Sequence, residues 1–196
     1  MNSLPFSLKY SAGPLLIALC SLIAFFFEPL SGNYLAYDRF AIQGLETWRI
    51  VSGNIVHTNG YHLLLNIAGL ALLWALHGEH YRVGLFLKVF VWCCLGTSVG
   101  LYFFSPDLIW YAGLSGALHG IFAWGACVDI KEKMKSGWLL LIGLAIKVGY
   151  EQIDGSSEQV ANLIDAKVAV DAHLFGALTG IAIFLLMFIT AKKNRN

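Results

Sequence analysis

The stretch Gly113-Leu114-Ser115-Gly116-Ala117-Leu118-His119-Gly120 opens a long apolar segment of the chain. Within it, Gly116 and Gly120 are four residues apart, and small residues at this spacing let two helix backbones approach closely in lipid. A later apolar segment has the same spacing between Ala172 and Gly176. We therefore predict that the two segments are membrane helices packed against each other. Generic helix packing is the alternative reason for these small residues.

A hydroxyl and an imidazole lie on these same small-residue surfaces, at Ser115 and at His173 in Ala172-His173-Leu174-Phe175-Gly176. A hydroxyl nucleophile needs a base to take its proton, and imidazole is the side chain whose ordinary pKa suits this task near neutrality. If the two helices pack together, the pair forms a hydrolytic site inside a membrane.

The composition indicates a membrane protein. Hydrophobic residues make up 58% of the 196 residues and charged residues 13%. With a mean hydropathy of +0.67, the chain is too apolar for a soluble domain of this size. Six apolar blocks are long enough for helices that cross a bilayer, and they lie at about 11–30, 61–78, 83–104, 115–128, 137–150 and 168–191. We predict an all-α membrane protein, a single integral-membrane domain over residues 1–196 built as a bundle of six transmembrane helices.

The cations are distributed unequally between the two sides of this bundle. The side that holds both termini collects Lys9, Arg82, Lys88, Lys131, Lys133, Lys135, Lys192, Lys193 and Arg195. The opposite side has Arg39, Arg49 and Lys167. By the positive-inside rule, both termini are cytoplasmic, and the loop after the first helix and the loop before the sixth face outward.

Cysteine placement and charge exclude other kinds of site. The four cysteines lie inside apolar blocks, at Cys20, Cys93, Cys94 and Cys127. Buried thiols pack like small hydrophobic groups, and no Cys or His cluster has the usual ligand spacing, so we expect no disulfide framework and no metal site. The lysine-rich turn 131–135 is explained by topology, and we expect no nucleic-acid partner.

The polar residues of three apolar segments lie at similar depths. An α-helix rises about 1.5 Å per residue. Measured from the cytoplasmic ends of their helices, Ser115 and His173 therefore lie at heights of roughly 24 and 28 Å. On the second helix His62 and Asn66 stand about 25 and 20 Å up. The four groups are level enough to meet if the three helices are neighbours.

His62 and Asn66 are four residues apart, which places both on one face of the second helix. Both side chains donate hydrogen bonds. With the backbone N–H of Ser115 at a helix N-terminus, they would form an oxyanion hole for a tetrahedral intermediate. An interhelical hydrogen bond without a catalytic part is an equally good explanation for Asn66, and a structural or surface role is favoured for His57.

Other ionisable residues of the apolar blocks have simpler explanations. Lys147 is expected to pair with Glu151 one turn on, or to extend to the membrane surface. Asp171 lies about 200° around its helix from His173, so we predict a dyad and not a triad. His77, in an inner loop, is expected to be solvated, as is His80.

The sequence resembles the rhomboid family of intramembrane serine proteases. The resemblance rests on four elements, which follow one another in the family's order: Trp48-Arg49; His57 followed by His62-Leu63-Leu64-Leu65-Asn66; Gly113-Leu114-Ser115-Gly116; and Ala172-His173-Leu174-Phe175-Gly176 with Gly180.

This resemblance implies a rhomboid-like six-helix bundle in which Ser115 is the nucleophile and His173 the general base. His62, Asn66 and the Ser115 backbone would form the oxyanion site. Rhomboids hydrolyse a peptide bond in or near a transmembrane helix of their substrate, without metal or cofactor. The implied partners are therefore transmembrane proteins and membrane lipid, and the fifth helix would be the mobile side that admits substrate.

Within rhomboids, the chain resembles the rhombosortase branch, a compact bacterial form with a Gly-Leu-Ser-Gly-x-Leu-His-Gly stretch. Residues 113–120 match this stretch. That branch is thought to process exported proteins with a C-terminal Gly-Gly tail, a hydrophobic helix and a basic end. The implied location is the bacterial inner membrane, with the site open to the outer, periplasmic side. Many rhomboids have a tyrosine four residues after the serine, packed on the catalytic histidine. His119 stands there in this chain and is expected to pack similarly or to alter the basicity of His173.

Two other functions are compatible with parts of this pattern. A rhomboid-like protein without catalysis could bind membrane helices as a chaperone, although such relatives typically lack the serine or the histidine. A small transporter or channel subunit could line a polar pathway with Asn66, His62 and His173. However, these groups cluster near one face of the bilayer, and no internal repeat is present.

Overall fold

The computed structural model describes residues 4–193, and within them six helices have 17 to 24 residues. They are α1 (Leu8–Phe26), α5 (Gly60–His77), α6 (Val83–Phe104), α7 (Ser115–Lys131), α8 (Lys135–Asp154) and α10 (Val170–Lys193). The shorter helices are α2 (Leu30–Leu35), α3 (Arg39–Gln43), α4 (Arg49–Ser52) and α9 (Glu158–Ile164). The ends of the predicted 1–196 domain, with Arg195, lie outside the described residues.

Four helices within residues 4–193 are long and apolar enough to cross a membrane. They are α1, α6, α10, and α5 together with the 3-10 turn that follows it, Gly60–His80. By contrast α7 has only 17 residues, and α8 includes four charged side chains, those of Lys135, Lys147, Glu151 and Asp154. The chain is a multi-pass membrane protein, and the number of six spans stays a prediction.

The first helix ends earlier than the apolar block 11–30 indicated. It stops at Phe26, and a separate short helix begins at Leu30. Glu28 precedes Pro29, and the residue before a proline is disfavoured from the helical region because of a clash with the proline ring. The sequence stays hydrophobic through this break, so hydrophobicity alone predicted the end of the first helix too far along the chain.

A two-stranded antiparallel pairing, absent from the all-α prediction, joins the first outer loop to the loop before α7. Strands β1 (Tyr37–Asp38) and β2 (Trp110–Tyr111) pair with Tyr37 opposite Tyr111. Strands of two residues are too short to produce an alternating pattern that a sequence could reveal. The pairing fixes the approach to α7, whose first residue is Ser115.

Buried Arg39 strengthens the same junction. Its guanidinium donates to the carbonyls of Leu101, Tyr102 and Ser105 at 2.8–2.9 Å and to that of Leu108 at 3.1 Å. The last carbonyls of a helix have no partner inside the helix, and a guanidinium offers five donors in a fixed plane. Arg39 therefore caps the end of α6 and holds the following loop in place.

Helix α7 lies in the centre of the bundle and packs on α5, α6, α8 and α10. Most of its residues are buried, and Ala117, Ile121 and Ala126 are fully buried. A helix surrounded by other helices can be short, because it does not need to match the bilayer thickness by itself.

The predicted contact between the two small-residue segments is confirmed. A Cβ atom built on Gly120 would lie 2.7 Å from the carbonyl oxygen of Gly176. A Cβ on Gly176 or Gly180 would collide with the carbonyl oxygen of Gly116 or Gly120, respectively. The backbones of α7 and α10 therefore touch along this seam, where only glycine fits.

The expectation that His77 is solvated is wrong. His77 is 0% exposed, and its Nε2 lies 3.3 Å from a carboxylate oxygen of Asp129 in α7. His80 approaches the other oxygen of Asp129 at 3.2 Å. The Asp129 carboxylate offsets part of the free-energy cost of burying the His77 ring. The two residues are far apart in the chain, so a local sequence pattern could not indicate this contact.

Candidate active site

The site is built on the turn that leads into α7. Gly113 has a φ of +126°, a region that disfavours side chains. Its N–H donates to the carbonyl of Gly53 at 3.1 Å, and its carbonyl accepts from the Tyr111 hydroxyl at 2.6 Å. Ser115 follows as the first residue of α7, where backbone N–H groups have no intrahelical partner.

Ser115 and His173 lie within hydrogen-bond distance of each other. The Ser115 Oγ is 3.0 Å from Nε2 of His173, which lies in the first turn of α10 and is 5% exposed. The close seam between α7 and α10 makes this contact possible, because larger side chains there would separate the two helices. A hydroxyl held against an imidazole can transfer its proton to the ring.

His62 and Asn66 reach the backbone beside the serine. The Asn59 side chain caps α5 by accepting from the His62 N–H at 2.8 Å. A Cβ atom at Gly113 would lie 2.6 Å from Nε2 of His62 and 3.7 Å from Nδ2 of Asn66. The structure therefore brings both predicted polar residues against the turn that ends in Ser115.

The hydrogen bonds of Thr58 affect what His62 can donate. The Thr58 hydroxyl donates to the carbonyl of Ile164 at 2.6 Å, so it can only accept from Nδ1 of His62, which is 2.9 Å away. The Thr58 backbone N–H also reaches Nδ1 of His62, at 3.5 Å, and it can donate there only when Nδ1 carries no proton. The neutral His62 ring then has its proton on Nε2 and can donate toward Ser115, whereas the other tautomer cannot. Asn66 has donor protons in either case.

A cavity of about 560 Å³ opens beside these residues. Thr58, His62 and Ser115 line one wall, and residues 104–112 and 166–171 line the others. This volume is in the range of cavities that bind small molecules or short peptide segments. The serine hydroxyl is thus accessible from a space that can hold a substrate.

His119 packs on His173, one of the two outcomes expected for this position. The two imidazole rings are stacked, with centroids 4.1 Å apart and an interplanar angle of 15°. Nδ1 of His119 lies 2.7 Å from the carbonyl oxygen of Ser115, one turn earlier in α7. The stack supports one face of the His173 ring.

The approach of α8 to the second nitrogen of His173 was not predicted from the sequence. The Glu151 carboxylate lies 2.8 Å from Nδ1 of His173. Of the two outcomes expected for Lys147, the pair with Glu151 is present, at 2.7 Å. The Lys147 ammonium also lies 2.8 Å from Nε2 of His119. The available signal was a cation and an acid one turn apart within a mainly apolar segment, since ionisable residues in such segments point to function.

His119, Glu151 and His173 offer ligand atoms within 4.8 Å of one another and could hold a metal ion. No metal site was expected from the sequence, because no Cys or His cluster has the usual ligand spacing along the chain. The ammonium of Lys147 lies 2.7 Å from the Glu151 carboxylate and 2.8 Å from Nε2 of His119. Its positive charge next to two of these groups opposes the binding of a cation.

Asp171 points away from His173, as predicted. Its carboxylate accepts from the Ser105 hydroxyl at 2.5 Å. This contact ties the start of α10 to the end of α6.

Trp48 and Arg49 lie outside the cavity and hold the first outer loop together. The Trp48 indole donates to the carbonyl of Tyr34 at 3.0 Å. The buried Arg49 guanidinium pairs with Glu46 at 2.6 Å and donates to the carbonyls of Ala36 and Asn33 at 2.8 Å. Trp48 and Arg49 therefore have structural roles in the first outer loop.

His57 is buried behind the site. It is 1% exposed, and its ring meets His62 edge to face with centroids 5.1 Å apart. Burial, with a smaller contribution from His62, lowers the pKa of His57 to about 3. His57 is therefore neutral near pH 7 and supports the position of His62 without a charge.

Comparison with known protein families identifies the class of this bundle. The family model described as the Rhomboid domain matches residues 44–190, which is more than half of the chain. The chain therefore belongs to the rhomboid family, whose members are known as intramembrane serine proteases. No curated protein matches the chain in a sequence comparison.

Proposed function

We propose that this protein is an intramembrane serine endopeptidase in which Ser115 is the nucleophile and His173 the general base. The observation that carries this proposal is the 3.0 Å contact between the serine Oγ and the imidazole Nε2. The cavity beside Ser115 supports it further, because a peptide must reach the hydroxyl. Ser115 lines this cavity, and a hydroxyl that reaches a substrate-sized space is better explained by catalysis than by a purely structural hydrogen bond.

The reaction follows from the proton positions. The Ser115 oxygen attacks the scissile carbonyl carbon while its proton passes to Nε2 of His173. The resulting oxyanion is stabilised by the Ser115 N–H at the α7 N-terminus and by the Asn66 amide, with His62 assisting when Nε2 is protonated. His173 then gives its proton to the leaving amine. Water, deprotonated by His173, hydrolyses the acyl-enzyme and releases the new carboxyl end.

The proposed substrates are exported proteins anchored by a transmembrane segment, as in the rhombosortase branch. The motif at 113–120 supports this substrate class, and so does the stacked imidazole of His119 in place of the tyrosine of many rhomboids. The scissile bond would lie in or near the membrane segment that follows a C-terminal Gly-Gly tail signal.

The proposed location is the bacterial inner membrane, with residues 1–196 forming one integral-membrane domain of six spans. The excess of cations on one side supports cytoplasmic termini. Ser115 begins α7 and Lys131 ends it, so the site would face the periplasmic side. A helix as short as α7 can contribute a span because its neighbours bury it.

Asn66→Ala is expected to lower kcat about 10²–10³-fold with little change in KM, because an oxyanion donor acts mainly in the transition state. Steady-state cleavage of a membrane-anchored substrate in detergent measures both constants. Asn162→Ala, an exposed amide of α9, is the matched control and should leave both constants unchanged. Wild-type turnover by a folded Asn66→Ala variant would leave the Asn66 amide as a structural group.

The substrate class is tested by co-expressing the chain with an exported protein that ends in Gly-Gly, a hydrophobic helix and a basic tail. We expect the wild-type chain to release a shortened product whose C-terminus, determined by mass spectrometry, lies at or near the glycines. Cleavage that persists after both glycines are replaced by leucine would place the protein among general rhomboid proteases. Binding of the anchored protein without any product would favour the chaperone alternative.

A further inference from the structure

The imidazole of His173 is bonded at both of its nitrogens. Ser115 Oγ lies 3.0 Å from Nε2, and Glu151 Oε2 lies 2.8 Å from Nδ1 on the opposite side of the ring. The side chains of His173 and Glu151 are 6% and 12% exposed. A carboxylate so largely removed from water forms a stronger hydrogen bond than one at an open surface.

One arrangement of protons satisfies the whole cluster. Nε2 of His173 must be free to accept from Ser115, so the ring proton lies on Nδ1 and is donated to Glu151. Lys147 donates to Glu151 at 2.7 Å and to Nε2 of His119 at 2.8 Å. Nδ1 of His119 then donates to the Ser115 carbonyl at 2.7 Å. The remaining short approach, 3.2 Å between Lys147 Nζ and His173 Nδ1, joins two donors and is not a hydrogen bond.

We propose that Glu151 is the positioning residue for His173, an inference that rests on the proposed function. Its carboxylate holds the ring in the tautomer with the proton on Nδ1 and stabilises the imidazolium that forms when Ser115 transfers its proton to Nε2. Glu151 keeps its negative charge throughout and takes no proton. Lys147 holds the carboxylate oxygen in place, so α8 completes a site whose two reacting groups belong to α7 and α10.

The groups around His173 define how its charge depends on pH. Among residues 4–193, α7 presents His119 to it, and α8 presents Lys147 and Glu151. His62 of α5 lines the same cavity as Ser115, and α6 faces this part of α10 with the uncharged side chain of Thr97. Asp171, on α10 itself, is bonded to Ser105. Glu151 favours the imidazolium, and Lys147 opposes it.

The test measures the reactivity of Ser115 with a fluorophosphonate probe, using the full-length protein in detergent. The serine oxygen displaces fluoride from phosphorus and its proton passes to His173, so no physiological substrate is needed. Glu151→Gln keeps the side-chain volume and removes the charge. We expect its labelling rate to fall on the order of 10³-fold, because loss of an orienting carboxylate costs about 10⁴ in a Ser-His-Asp triad. Asp154→Asn removes an exposed charge from the same helix and should label at the wild-type rate.

The pH profile of labelling separates positioning from folding. Without the carboxylate the imidazolium is less stable, so the acid limb should move to lower pH in Glu151→Gln and stay in place in Asp154→Asn. If Glu151→Gln does not fold, Glu151→Asp replaces it as the test. The shorter side chain keeps the charge but no longer reaches Nδ1 of His173, so labelling should be slower than in the wild type.

The two possible failures are distinguishable. An unchanged rate and an unmoved limb in folded Glu151→Gln would overturn the assignment of Glu151, as would a wild-type labelling rate in folded Glu151→Asp. Labelling that never reaches Ser115 in the wild-type protein, or that continues at the same rate in Ser115→Ala, would overturn the proposed function itself.

Discussion

Ser115→Ala is expected to abolish cleavage of a membrane-anchored substrate, with kcat falling on the order of 10⁶-fold. The substitution removes the nucleophilic oxygen and leaves His173 without a proton to accept. Alanine is favourable in a helix, so the unfolding temperature in detergent should stay close to that of the wild type. Product formation over time, measured by gel or mass spectrometry, determines the loss.

Two further variants show whether the loss belongs to the Ser115–His173 pair. His173→Ala should be similarly inactive, and combining it with Ser115→Ala should add little, because the two groups act as a unit. Ser136→Ala, which removes an exposed hydroxyl from the first turn of α8, is the matched control and should cleave normally. Full proteolysis by both purified single variants would refute the assignment.

Gly180→Val is expected to destabilise the bundle by at least about 3 kcal/mol or to prevent folding, the upper end of the overpacking range. A Cβ at this position collides with the carbonyl oxygen of Gly120 in the facing helix. Backbone atoms cannot move aside as a flexible side chain would, so α7 and α10 must separate. Unfolding of the purified variant in detergent, followed by circular dichroism, measures the change.

Gly143→Val provides the contrast for this experiment. A Cβ built on Gly143, in the middle of α8, meets nothing within 4 Å. Its valine variant should unfold within about 1 kcal/mol of the wild type, the difference reflecting helix propensity alone. Equal stability of the Gly180→Val and Gly143→Val variants would show that the seam is not the tight contact described above.

The parts of this protein that could be predicted depend on local spacing. Small residues spaced four apart predicted the contact of α7 and α10. Helix periodicity also predicted that Asp171 points away from His173. The stacking of His119 on His173 was one of the outcomes expected from its position four residues after Ser115. These predictions succeeded because helix geometry converts a spacing directly into a direction.

Contacts that depend on the rotation and tilt of a further helix could not be predicted. The sequence paired Lys147 with Glu151 but did not indicate that both face His173, because no spacing relates α8 to α10. Burial of His77 against Asp129 was missed for the same reason. The β1–β2 pairing also depends on residues far apart in the chain, and tertiary structure alone brings them together.

The glycine seam has a consequence for how a bulky membrane helix gains access. Since the carbonyls of α7 touch the backbone of α10, Ser115 and His173 are carried by one rigid unit that cannot open between them. Helix α8 packs tightly on α7 at Gly137, but further along α8 Cβ atoms at Gly143 and Gly149 would meet nothing within 4 Å. A displacement of α8 would withdraw Glu151 from His173 while the serine contact persists. In the proposed protease, cleavage would then resume only after α8 has closed on the bound segment, which would spare other proteins of the same bilayer.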